Sequence, residues 1–113
     1  MRQDLEQGDP FRPVREALAG FGPPVIVFNK SHSGSRLLAR LLDRSGVFMG
    51  ADRNALEEDA LPLLPIVQRL VVAHYPDYAP VLTHRDDALN ADILAAFDKH
   101  LRGFAGGRWG WKL

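Results

Sequence analysis

The sequence predicts an α/β domain built in layers, and two features of the 113-residue chain indicate it. Short apolar runs of the buried-strand type alternate with amphipathic segments, in the order β-α-β-α-α-β. The first apolar run also leads through a small polar loop directly into a helix-like segment, residues 35–44. Ligands of such sheets bind at the carboxyl ends of the strands, so the loops there are expected to converge on one edge.

Seven elements are predicted from hydrophobic periodicity and from residues that start or stop helices. Helices are expected at residues 10–19, 35–44, 63–75 and 87–102, and strands at 25–28, 47–49 and 108–113. Two segments without regular structure complete the chain: the acidic connection, residues 50–61, and a loop at 76–86.

The first helix and the first strand are marked by local signals. Asp9 can cap the helix, Pro10 suits its first position, and Gly20 lies near its end. Residues 1–24 are therefore expected to form this helix and a linker into the domain. The β-branched, apolar run 25–28 then predicts a buried strand.

The helix at 35–44 carries four leucines on one side and arginines four apart on another. The leucines are Leu37, Leu38, Leu41 and Leu42. Ser45-Gly46 stops this helix before the short apolar strand 47–49.

The two later helices are amphipathic. Pro62 and Pro65 fall in the first turn of the helix at 63–75, where a missing N–H does no harm. The residues expected to face inward on it are Leu63, Leu64, Val67, Leu70 and Val71. On the helix at 87–102, which Gly103 can close, they are Leu89, Ile93, Leu94, Phe97 and Leu101.

The residues between the first strand and the following helix favour an anion site. Three cationic and four small residues share this stretch: Lys30, His32 and Arg36, and Ser31, Ser33, Gly34 and Ser35. Small residues let an anion approach the main-chain N–H groups at a helix start. The first turn of a helix normally prefers acidic residues, so cations here indicate a bound anion. The alternative is an ordinary strand-to-helix turn with solvated basic residues.

The stretch departs from the P-loop of nucleotide-hydrolysing enzymes. With Gly34 aligned to the second glycine of that pattern, Ser35 stands at the lysine and Arg36 at the metal-binding hydroxyl. We therefore expect phosphate binding without a metal ion. A small-molecule kinase is an alternative function against which these two differences weigh.

Residues 32–42 resemble the 5′-phosphosulfate-binding loop of sulfotransferases that use PAPS (3′-phosphoadenosine 5′-phosphosulfate). Two later segments resemble the same family. Residues 46–59 are similar to the second strand and acceptor-side loop of bacterial members, and residues 109–112 to a strand whose lysine faces the active site.

The resemblance implies a three-layer parallel sheet with helices on both faces, P-loop NTPase-like and incomplete. Residues 1–113 would be the N-terminal part of a single sulfotransferase-like domain. The family's second motif, an arginine and a serine that hold the 3′-phosphate, has no counterpart after Lys112. We therefore expect weak or no turnover from this chain alone, and a non-catalytic remnant of the fold is a further alternative.

The implied reaction transfers a sulfuryl group from PAPS to a hydroxyl or amine of a small-molecule or carbohydrate acceptor. The residues expected to bind PAPS are Lys30, Ser31, His32, Ser33, Gly34, Ser35 and Arg36. The expected catalytic side chains are Lys30 or His32 as the mobile cation and Lys112 as a second cation. The candidates for general base are Glu57, Glu58 and Asp59, with Glu58 as first choice. The alternatives are that acids 57–59 only favour the start of the next helix, and that Lys112 is a surface residue.

Composition gives broader expectations. Lys+Arg and Asp+Glu are both 14, so no global basic field indicates nucleic acid as a partner. The chain has no cysteine, which excludes disulfides and thiolate metal sites. It has no signal-peptide pattern and no run of ~18 apolar residues. We therefore expect a cytoplasmic protein without a membrane partner.

Overall fold

The computed structural model describes residues 9–28 and 34–113. In these ranges the chain forms a two-stranded parallel sheet with α-helices packed around it, which confirms the predicted α/β class. The helices are α1 (Arg12–Leu18), α2 (Ser35–Arg44), α3 (Leu64–His74), α4 (Ala79–Thr83) and α5 (Asp87–His100), and the strands are β1 (Val25–Val27) and β2 (Gly110–Lys112).

Strand β2 lies between β1 and the segment around Phe48. It pairs with β1 in parallel, in the register Val25↔Gly110, Ile26↔Trp111 and Val27↔Lys112. On its other side, the N–H of Phe48 donates to the carbonyl of Arg108 at 2.9 Å, and the N–H of Gly110 donates to the carbonyl of Phe48 at 2.8 Å. The three segments run in the same direction, so their carboxyl ends meet at one edge.

The strand expected at residues 47–49 is wrong as a regular strand, because only the parallel bridge Phe48↔Trp109 forms there. The chain turns away at Gly50, whose φ is +114°. The next N–H, from Ala51, donates to the carbonyl of His100 instead of continuing along β2. Ala60 then takes the next place beside β2, where its N–H donates to the Lys112 carbonyl at 2.9 Å.

Helix α1 begins two residues later than the sequence predicts. The carboxylate of Asp9 accepts the N–H of Phe11 at 3.0 Å, which holds Phe11 at the N-cap position. Pro13 then lies in the first turn, where its missing N–H costs nothing. A single turn of 3-10 helix, Ala19–Phe21, follows α1 where the sequence predicts an end.

Helix α2 has the predicted bounds but packs through a different face. Its buried residues are Ser35 and Ala39, and Leu42 packs with them against Val27 and Val47. Three of the four predicted leucines face outward: Leu37, Leu38 and Leu41 are 63%, 48% and 53% exposed. Small inward residues let the helix axis approach the sheet closely, which leaves the larger side chains on its flank.

Helix α3 confirms the helix predicted at 63–75 to within one residue at each end, and α4 lies inside the predicted loop at 76–86. Leu63 is buried, and Leu70 packs against the main core, but Val67 and Val71 are exposed, so the predicted inward face is only partly right. The loop prediction is wrong at α4. Asp77 accepts the N–H of Ala79 at 3.0 Å and thereby orders its start.

Helix α5 begins with a side-chain cap and supplies most of the main core. The carboxylate of Asp86 accepts the N–H of Leu89 at 2.9 Å. Its predicted inward residues Leu89, Ile93 and Phe97 are buried, and Leu94 and Leu101 pack against them. The helix ends at His100, two residues before the predicted end.

Trp109 and His100 are the largest fully buried side chains in the described ranges. The Trp109 ring packs edge-on against Phe97, and its indole N–H donates to the carbonyl of Gly22 at 2.9 Å. The His100 Nε2 lies 2.8 Å from the carbonyl of Gly110. A carbonyl only accepts, so Nε2 is a nitrogen that carries a proton. Burial lowers the pKa of His100 from its ordinary value of 6.5.

We predict that stability falls as the pH drops below about 6.5, because the unfolded chain takes up a proton that buried His100 resists. The contribution is fully present above the unfolded pKa and is lost progressively below it. Urea unfolding between pH 7.5 and 5 measures this slope. His100→Gln should flatten it, whereas the matched change at an exposed histidine, His84→Gln, should leave it unchanged. Equal slopes in all three proteins would contradict the prediction.

We also predict that Gly50→Ala destabilises the fold more than Gly46→Ala. Both glycines have positive φ, +114° and +96°, which costs alanine about 1–3 kcal/mol of strain. A Cβ at Gly50 would also lie 2.4 Å from the His100 Cε1, whereas the space at Gly46 is open. The clash should add about 1–3 kcal/mol at Gly50. Comparing the free energies of unfolding of the two variants tests it, and equal losses would show that His100 yields without cost.

Candidate functional site

The candidate site lies at the edge where the strands end. β1 ends at Val27, Lys112 is the last residue of β2 opposite it, and the acidic connection follows Phe48 on the far side of β2. The structure brings Lys112 and the acidic connection into contact, as the sequence predicts. Lys30, Ser31, His32 and Ser33 lie outside the described residues, so their predicted roles stay predictions.

The N-terminus of α2 carries no acidic residue. Gly34 is the N-cap residue with φ +91°, a left-handed conformation that suits glycine. No side chain of the described residues caps the helix, and its first turn holds Arg36 in place of an acid. The first amides of a helix have no partner within it, so this end is electropositive.

Two of the predicted anion-binding side chains belong to this turn. Ser35 is buried against the sheet side of the helix. Arg36 is exposed and reaches across to the acidic connection, where its Nη1 donates a long 3.4 Å hydrogen bond to the carbonyl of Leu56. Its guanidinium therefore contacts the acidic connection from the start of α2.

The acidic connection is an ordered turn that is folded on itself. The Asn54 Oδ1 accepts the N–H groups of Leu56 at 2.9 Å and Glu57 at 3.1 Å. The Asn54 main chain exchanges hydrogen bonds with Glu58 and Asp59, at 2.8 and 2.9 Å. The antiparallel bridge Arg53↔Ala60 closes its base. Residues 54–59 therefore form a compact tip.

Glu58, the predicted general base, is engaged in two ion pairs. Its Oε1 accepts from the Arg40 Nε at 3.1 Å, and its Oε2 lies 3.1 Å from the Arg53 Nη1. Its φ is +66°, a left-handed conformation that is uncommon for residues other than glycine. The pair with Arg40 holds the Glu58 carboxylate against α2. The general-base role of Glu58 stays a prediction.

Lys112 is mostly buried and paired, which disagrees with the alternative that it is a surface residue. Its side chain is 9% exposed, and its Nζ donates to the Asp59 Oδ1 at 2.9 Å and to the Glu57 carbonyl at 2.6 Å. A buried ammonium needs such partners, because an unpaired charge there costs several kcal/mol. Asp59 is therefore the acid that forms an ion pair with Lys112, the predicted catalytic lysine.

Sequence reasoning missed the arginines that hold this turn, and it ranked Glu58 above Asp59, the acid that contacts Lys112. Arg40 and Glu58 are 18 residues apart in the sequence, and Lys112 and Asp59 are 53 apart. Hydrophobic or charge periodicity in the sequence does not reveal contacts between residues this far apart. One local signal was present, since an asparagine side chain commonly accepts main-chain N–H groups a few residues on and so caps a turn.

No family model, curated protein or solved structure matches the chain. The resemblance to sulfotransferases therefore stays a prediction from the motif residues. In the described ranges, no three His, Asp or Glu side chains form a metal-binding group. The helices described there are all too short or too polar to cross a bilayer.

We predict that Glu58→Gln lowers stability by about 1 kcal/mol, because it weakens two partly exposed ion pairs. The neighbouring Glu57→Gln removes the same charge from an exposed side chain with no described ion pair, and should change little. Urea unfolding at low and high salt measures the free energy of unfolding of both variants. The difference between the two variants should be smaller at high salt, because salt screens the ion pairs. Identical stabilities at low salt would show that the pairs with Arg40 and Arg53 contribute nothing.

Proposed function

We propose that this chain is the phosphate-binding unit of a PAPS-dependent sulfotransferase. It would take part in transfer of a sulfuryl group to a hydroxyl or amine of a small-molecule or carbohydrate acceptor. One observation carries the proposal. The N-terminus of α2, which has no acidic residue, and the buried cation Lys112 at the end of β2 lie at the same edge of the sheet.

The fold that we propose is a three-layer, P-loop NTPase-like sheet with helices on both faces. The parallel pairing of β1 and β2 supports it, as does the order in which β2 lies between β1 and Phe48. Helix α2 packs on both strands, while Trp111 of β2 packs against Phe97 of α5. Parallel strands with crossover helices are typical of this class.

The proposed donor site is the start of α2. Helix amides and a left-handed glycine, Gly34, form the kind of concave, electropositive surface that binds phosphate. Ser35 and Arg36 belong to the same turn. The side chains of Lys30 and His32 are proposed to complete the site from the preceding segment, as the resemblance implies.

The proposed chemistry depends on charge. Transfer breaks the bond between sulfur and the oxygen of the 5′-phosphate, and forms a bond from sulfur to the acceptor atom. Negative charge grows on the bridging oxygen, and amides and cations aimed at it stabilise the transition state. Lys112 would contribute from β2, and the acceptor proton would pass to a carboxylate of the acidic connection, with Glu58 as the first candidate. No metal ion has a role in this scheme.

We predict that adenosine 3′,5′-bisphosphate binds the chain, and that Arg36→Glu weakens its binding at least tenfold, about 1.4 kcal/mol. The change places an acid where the anion would bind. The same acid suits a helix start, so stability should stay equal or rise by about 0.3–1 kcal/mol. Loss of binding without loss of stability separates a site effect from unfolding.

Calorimetric titration measures the affinity, and Arg44→Glu is the matched control because it makes the same charge change at the other end of α2. That variant should keep its affinity. Equal weakening by both variants would indicate only a net-charge effect. Preferential binding of ATP with Mg²⁺ would favour the kinase alternative, and no binding by the folded chain would refute the proposal.

A further inference from the structure

The proposed function assigns the Lys112 ammonium to the ligand, but in the structure this ammonium is already hydrogen-bonded to other residues of the chain. The ammonium has three donors and no acceptor. Two of its contacts are the Asp59 carboxylate at 2.9 Å and the Glu57 carbonyl at 2.6 Å. Both partners belong to the tip of the acidic connection, residues 54–59.

We propose that Asp59 is a built-in competitor for the oxyanion of the ligand, so that a phosphate or sulfate group must displace the Asp59 carboxylate before it contacts Lys112. The inference rests on the proposed function and adds regulation to the same site. In the ligand-free chain the tip is closed on Lys112. When the anion binds, the tip opens.

The chemistry of the two partners supports competition. A carboxylate and a phosphate or sulfate oxygen are the same kind of acceptor for an ammonium group, at the same hydrogen-bond distance. The side chains of Lys112 and Asp59 are only 9% and 16% exposed, so little room is left for a second anion beside the first. One oxyanion must therefore replace the other.

The contacts of the tip show how it can move without unfolding the domain. The Asn54 side chain and carbonyl accept the N–H groups of Leu56, Glu57 and Glu58, which keeps the first part of the tip ordered. The base is anchored separately, because the Ala60 N–H bonds to the Lys112 carbonyl and the Leu61 N–H to the Asp52 carbonyl. Within the tip, Glu58 directly precedes Asp59 and has a left-handed φ of +66°. Rotation near Glu58 would lift Asp59, break the bond from the Asn54 N–H to the Asp59 carbonyl, and leave the anchors in place.

The other side-chain contacts of the tip are polar and partly exposed. Arg40 is half exposed and Arg53 a quarter exposed where each pairs with Glu58, and the Arg36 hydrogen bond to the Leu56 carbonyl is long, at 3.4 Å. Such contacts are weak individually. Loss of the buried contact with Lys112 is therefore the principal cost of opening, and a bound oxyanion on Lys112 offsets it.

The direct test is titration of adenosine 3′,5′-bisphosphate into the full chain, the Asp59→Asn variant and the Asp43→Asn control. Asp43 is also an ion-paired carboxylate, 3.5 Å from Arg53, but has no contact with Lys112. Removal of the competitor should tighten binding at least about fivefold, the lower limit of typical coupling between sites. The control should bind as the unmodified chain does.

The outcomes separate the two proposals. Equal or weaker binding by Asp59→Asn, with measurable binding by the unmodified chain, overturns the competition and leaves the proposed function standing. Equal tightening by both variants also overturns it, since net charge would then explain the gain. If the folded unmodified chain and the folded variants do not bind, both proposals fall.

A measurement on the unmodified chain decides the question even if Asp59→Asn does not fold. Saturation with adenosine 3′,5′-bisphosphate should speed amide hydrogen exchange at least about fivefold at Asn54, because its N–H is bonded to the carbonyl of Asp59, the residue that opening moves away. Exchange at Ala60 and Leu61, the anchors, should not speed up. Unchanged or slower exchange at Asn54 with bound ligand would show that the anion binds without opening the tip.

Discussion

The backbone pairing of β2 organises the rest of the molecule. One edge of β2 bonds to β1, and the other edge bonds first to Phe48 and then to Ala60. Because both edges of β2 are hydrogen-bonded, the start of α2, the acidic connection and Lys112 lie side by side, although they are distant in sequence. The same pairing also packs buried Trp109 and half-buried Trp111 against α5, so the sheet and the main core depend on the same strand.

The site edge combines two opposite electrostatic arrangements. Helix α2 presents an electropositive start without an acid, whereas the acidic connection beside it neutralises Arg40, Arg53 and Lys112. The cations at this edge therefore differ in how available they are to a ligand. Arg40, Arg53 and Lys112 are paired with acids of the acidic connection, and a ligand would have to compete with those acids. The helix start has no such competitor among the described side chains.

The sequence predicts the parts of this structure that have local causes. The bounds of α2 follow from a loop before it and Ser45-Gly46 after it, and the predicted start of α5 at residue 87 is correct. Features set by distant neighbours were not predictable. The outward leucines of α2 depend on how closely Ala39 packs, and the choice of Asp59 over Glu58 depends on where β2 ends. Helix α4 was predicted as part of a loop, although local signals for its start were present in the sequence. These signals are Asp77, which accepts the Ala79 N–H, and Pro80 in the first turn.

The short length of β1 has a consequence for the behaviour of the protein in concentrated solution. In a parallel pair, alternate residues point their peptide groups away from the partner, so the Ile26 amide and carbonyl face outward from the sheet. Phe28, just after the strand, is 76% exposed, and the leucines of α2 lie on an exposed flank of the helix. Open strand edges with apolar surroundings promote self-association, and natural proteins limit this hazard by keeping them short. With three residues in β1, the edge left open among the described residues is short, which limits the surface available for pairing with another chain.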